Sequence, residues 1–177
     1  MDDCSLPEYA DVTKVFLQEL EISGSISLAN LANLKGILNN DNGRLWVNLR
    51  FFQNKSGRRI ITGKLRADLQ VLCQRCLQPL ELDIEDDINL AVVERESDSK
   101  GLEAIYDPWV CKEHKLSLAD LVGEQLILAL PIVSLHSDPN CLEKLEYDLS
   151  GTTNDCGLEA RTPFDGLRSL IDESTKK

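Results

Sequence analysis

The chain has 177 residues, 42% of them hydrophobic, which suits one domain with a tail and excludes wholesale disorder. Its formal net charge of −11 repels nucleic acid and anionic membranes when taken as a whole. No run of about 18 apolar residues occurs, so no spanning helix is expected, and Met1 to Ala10 carries three acids and no base, unlike a secretory leader. These features predict a cytoplasmic protein with neither a membrane nor a DNA partner. Its six cysteines are then free thiols or metal ligands rather than disulfides.

Along the chain, Val12 to Gly24 is open between strand and helix. Ser27 followed by Leu28, Leu31, Leu34 and Leu38 predicts a short capped amphipathic helix, and Asn39 to Gly43 a turn. Strict period-two alternation then marks two strands, with Leu45, Val47, Leu49 and Phe51 on one side of the first and Ile61, Leu65, Ala67, Leu69 and Val71 on one side of the second. A three-residue loop, Lys55-Ser56-Gly57, brings both apolar sides to one face; a two-residue loop would put one of them in water. That register sets Phe51 opposite Ile61, Trp46 opposite Arg66 and Arg44 opposite Asp68. Leu80 to Val93 is a third strand. A reversal at Gln74-Arg75 would set Arg66 opposite Asp83 and Lys64 opposite Glu85, pairs of opposite charge.

Glu94 to Pro108 reads as a charged loop. Ser117-Leu118-Ala119-Asp120 starts a helix over Leu118 to Leu130 that ends at Pro131 and can cover the apolar face of the strands. The acidic stretch beyond Leu142 reads as a solvated linker, and Thr162-Pro163-Phe164 opens a short last helix. The expected fold class is α+β: an antiparallel meander over about residues 44–93 packed against a helix over about 117–130, with short terminal helices and an acidic tail. Residues 1–141 would form one domain, and 142–177 the linker and last helix.

Two features can carry chemistry. Cys73 and Cys76, three apart at a chain reversal, can aim both sulfurs at one point, as structural zinc requires. Two further ligands are needed, and both His136 with Cys141 and Cys111 with His114 are available; alternatively, Cys73 and Cys76 are packed thiols. The second feature is charge asymmetry. Arg44 to Cys76 holds eight bases and one acid, a net of +7, so the rest of the chain carries −18. Arg44, Trp46, Arg50, Arg58 and Arg59 are the candidate RNA-binding set, the aromatic ring for stacking and the arginines for phosphates. The competing reading pairs Trp46 with Arg66 as a cation–π contact. Nucleophile–base motifs and phosphate-binding loops are absent, which argues against an enzyme.

The run Leu72-Cys73-Gln74-Arg75-Cys76-Leu77 after a strand, Leu126 to Val133 closing a helix, His136 with Cys141, and Pro163-Phe164 with Leu167 and Leu170 together resemble the bacterial large ribosomal RNA subunit accumulation (YceD) family. The resemblance runs from about Leu20 to the C-terminus. It implies a non-catalytic role in the synthesis, processing or stability of large-subunit ribosomal RNA. The implied partner is the precursor large subunit, through its RNA or a basic ribosomal protein. It also favours Cys73, Cys76, His136 and Cys141 as the zinc set. The alternative is a zinc-stabilised protein-binding module with no tie to ribosomes.

Overall fold

The structure, a computed structural model, describes residues 4–142. The linker and last helix expected beyond Leu142 fall outside the described residues, save Leu142 itself. The architecture is mixed α+β, mostly strands, with the longer helix in the C-terminal half. A short strand β1 (Tyr9–Asp11) leads into helix α1 (Val12–Leu17), followed by β2 (Glu21–Ser27), β3 (Arg44–Gln53), β4 (Arg59–Leu72), β5 (Pro79–Val93), β6 (Asp107–Val110), β7 (Lys115–Ser117) and helix α2 (Leu118–Ala129). The main sheet has the order β2-β3-β4-β5-β6, and β1 pairs with β7 in a separate two-stranded ladder.

The sheet follows from side-chain alternation. In β3 the odd positions Leu45, Val47, Leu49 and Phe51 are buried, and they oppose Ala67, Leu65, Gly63 and Ile61 of β4. The connecting loop closes with Asn54 N–H donating to the Arg58 carbonyl (2.9 Å), and Gly57 takes φ +74°, a left-handed position that favours glycine. Leu118, Leu121, Val122 and Leu126 of α2 are buried in the same core as these strands. The helix starts where Ser117 Oγ accepts the Asp120 N–H (3.2 Å) and ends before Pro131. Among the described residues no helix is long and apolar enough to cross a membrane.

Three expectations need correction. Leu28 to Leu38 is not an α-helix but two 3-10 turns, Leu28–Asn30 and Ala32–Leu34. Leu28, Leu31 and Leu34 are all buried at a strict spacing of three, which is the period of a 3-10 turn, and Ser27 makes no side-chain cap. The segment after Glu94 is not all loop. It contains a 3-10 turn at Glu96–Ser99 and then β6, which pairs with β5 in parallel and carries Pro108 at the sheet's edge.

The third correction is the β4–β5 register. It is shifted by two from the expected one: Arg66 opposes Glu85, and Lys64 opposes Asp87. The cause is the turn, which spans residues 73–78. It closes with Cys73 N–H on the Gln78 carbonyl (2.9 Å) and Leu77 N–H on the Cys73 carbonyl (2.8 Å), with Leu77 at φ +57°. A shift of two keeps every side chain on its face. Arg66 still reaches Asp83 diagonally, at 3.1 Å, and Lys64 meets Asp87 at 3.6 Å.

Candidate metal centre

The β4–β5 turn carries Cys73 and Cys76, and the segment after α2 runs back against it. Gln74 N–H donates to the Ser134 carbonyl (2.9 Å), Gln74 Nε2 to the Ile132 carbonyl (3.2 Å), and the Arg75 guanidinium to the Asp138 carbonyl (3.0 Å). These bonds bring His136 and Cys141 to the knuckle. One ligand atom from each of Cys73, Cys76, His136 and Cys141 lies within 4.8 Å of all the others. Cys76 Sγ and His136 Nδ1 are 3.3 Å apart. A tetrahedral zinc with bonds of about 2.0–2.3 Å sets its donors roughly 3.5–3.8 Å apart, so small side-chain adjustments bring all four onto one ion.

The chemistry of the donors fits that use. All three cysteines are buried, Cys73 and Cys76 almost completely. His136 Nε2 sits 3.1 Å from the Pro79 carbonyl. A carbonyl can only accept, so this contact assigns the proton to Nε2 and turns the Nδ1 lone pair toward the sulfurs. Burial pushes the Cys73 thiol up, but backbone N–H groups at Cys76, His136 and Arg75, together with the Cys76 thiol, outweigh it and bring Cys73 down to about 5. These contacts favour the thiolate form of Cys73. Cys76 is pushed the other way, first by burial and then by the neighbouring Cys73 and Cys141. Thiolates crowded into a buried site repel one another, and a divalent cation would offset that repulsion.

The alternative pair, Cys111 and His114, is not part of this cluster. Cys111 Sγ donates to the carbonyls of Glu113 (3.2 Å) and Lys115 (3.8 Å), and the His114 carbonyl accepts the Val12 N–H (2.9 Å). The roles of Gln74, Arg75 and the Pro79 carbonyl were not anticipated. The one available signal was the position of Gln74 and Arg75 between the two cysteines.

The five candidate RNA-binding residues do not share one surface. Arg44, Trp46 and Arg50 occupy the even positions of β3, facing away from the core, with the Arg50 guanidinium 5.8 Å from the Phe52 ring centroid. Arg58 turns to donate to the Gly101 carbonyl (3.3 Å). Arg59 opposes Gln53 and has the parity of the buried Ile61, so it belongs to the other side of the sheet. The competing cation–π pairing of Arg66 with Trp46 gives way to carboxylates, because Arg66 goes to Asp83 (3.1 Å) and Asp68 (4.0 Å). A charged acceptor competes well against a ring face for a guanidinium.

Comparison with known proteins agrees with the motif order. The family model described as large ribosomal RNA subunit accumulation protein YceD matches residues 61–171, which include the knuckle, α2 and both later ligand positions. A Haemophilus influenzae protein of the same description is 26% identical over 171 residues, covering 96% of this chain and 98% of that one. No solved structure gives a significant match. With more than half its length matched by the family model, this chain belongs to the large ribosomal RNA subunit accumulation protein YceD family.

Proposed function

We propose that the chain is a cytoplasmic, non-catalytic factor that supports accumulation of large-subunit ribosomal RNA, acting on the precursor large subunit. In this reading its shape is held by one zinc ion on Cys73, Cys76, His136 and Cys141. The observation that carries the reading is the four-donor cluster within the family-matched region. Soft thiolates with one imidazole suit zinc. Four protein donors leave no position for water or substrate, which is the signature of a structural rather than a catalytic ion. Zinc with three thiolates has one surplus negative charge, and the Arg75 guanidinium, 3.6 Å from Cys141 Sγ, is placed to offset it.

Contact with the precursor runs through a basic protein segment rather than through RNA. Lys64 and Arg66 are already matched by Asp87 and Asp83, so the basic stretch presents less unpaired positive charge than its sequence suggests. Depleting the protein and measuring ribosomal RNA by subunit tests the role. The expected result is a selective fall in large-subunit RNA with small-subunit RNA maintained, restored by the wild-type chain. Unchanged large-subunit RNA would refute the proposal.

A further inference from the structure

Among the described residues, no strand pairs with the outer edge of β5 along most of its length. Fifteen residues long, β5 pairs with β6 only through its last four, Leu90–Val93. Among the described residues β6 is the one strand on that edge. The backbone groups facing the edge can be identified. The Val93 carbonyl accepts the Cys111 N–H there (2.9 Å), and the Pro79 carbonyl meets His136 Nε2 (3.1 Å). Both are odd positions, and the β4–β5 register is unbroken between them. Strand alternation then turns the N–H and C=O groups of Glu81, Asp83, Glu85, Asp87 and Asn89 outward, at a spacing that another strand can match.

The side chains along this edge are acidic. Glu81, Asp83, Glu85 and Asp87 line the outer face. Asp86 is exposed on the opposite face, the apolar one, between buried Ile84 and Ile88. Among the described residues, Lys64 and Arg66 of the neighbouring strand are the bases paired with these five carboxylates, at Asp87 and Asp83. A charge pointing to the apolar side of an edge strand blocks casual pairing with greasy strands and with a second copy, whose edge carries the same charge. Nucleic acid is repelled for the same reason.

We propose that the open edge of β5, Glu81–Asn89, takes up an extended basic segment of a partner protein by strand addition. Main-chain hydrogen bonds hold the segment, while lysine or arginine side chains on its outer face meet Glu81 and Glu85 and one on its inner face meets Asp86. The edge spans about 30 Å, room for roughly eight to nine extended residues. The inference rests on the basic partner proposed above and adds where and how it docks.

The test uses the full-length, metal-loaded chain and a ten-residue peptide alternating lysine with valine. Its control is the same peptide N-methylated at alternate residues, which keeps the charge and removes the strand's donors. The alternating peptide should slow amide exchange at Glu81, Asp83 and Glu85 by about tenfold or more, and the control should not. Glu85→Pro removes an outward N–H and leaves the β4 ladder intact, so it should weaken binding by about tenfold or more. If that variant fails to fold, the exchange measurement on the wild-type chain decides. Equal binding of both peptides, or protection of these amides by an RNA oligomer or by self-association instead, would overturn the proposal. The depletion result is separate: normal large-subunit RNA removes the ribosomal role without touching edge pairing, and unprotected amides remove edge pairing without touching the ribosomal role.

Discussion

Replacing Cys76 with serine is expected to release the bound metal and destabilise the described domain by more than about 4 kcal/mol, since loss of a structural metal belongs to the short list of large single-site effects. For a chain of this size that is a fall in Tm on the order of 10 °C. The loss should be uneven. The turn at residues 73–78 and the segment from Ser134 to Cys141 are joined by the Gln74 and Arg75 bonds and, under the zinc proposal, by the four donors sharing one ion, so their amides should lose exchange protection first. The β3 amides, inside the sheet, should keep theirs until global unfolding. A chelator should reproduce the drop in the wild-type protein and add nothing in the variant. Cys111→Ser, away from the cluster, should change stability by no more than about 1 kcal/mol. Thermal melts of the two variants with and without chelator check all of these outcomes, and a Cys76→Ser chain melting like wild type would refute them.

Phe51→Ala should cost about 3–5 kcal/mol without loss of metal. Phe51 is fully buried at the hairpin end of β3, and its ring meets Phe16 of α1 edge-on, with centroids 5.5 Å apart and an interplanar angle of 80°. The deletion empties the space between sheet and helix, and neither element can close it, since the ladder fixes β3 on both sides. Phe51→Leu fills most of that volume and should cost roughly a third as much. Denaturant titration with a zinc assay on the same samples separates this effect from the loss at the cluster.

Alternation made the strands legible. From Arg44 to Leu72 nearly every second residue is apolar, and only one loop length puts both apolar sides on the same face. The β4–β5 register was less legible because parity cannot tell a shift of two from none, and the attractive Arg66–Asp83 pairing forms in either register. Geometry inside the turn decided it, above all the left-handed Leu77, a conformation that a leucine does not advertise in sequence. The small β1–β7 ladder and β6 were too short to carry a period, having three, three and four residues. At the cluster, the spacing of Cys73 and Cys76 was visible locally. The choice of His136 and Cys141 over Cys111 and His114 was not, because it depends on a chain crossing of some sixty residues set by the Gln74 and Arg75 bonds. The basic stretch misled in one respect: charge counted along the sequence does not record which arginines face one another across a strand and which face carboxylates.

X-ray absorption at the zinc edge, on protein purified under reducing conditions without added metal, shows whether Cys73, Cys76, His136 and Cys141 hold zinc. The expected result is one zinc per chain with three sulfur neighbours at about 2.3 Å and one nitrogen at about 2.0–2.1 Å. Protein free of metal, or a zinc ion with an oxygen in place of one of these donors, would contradict it.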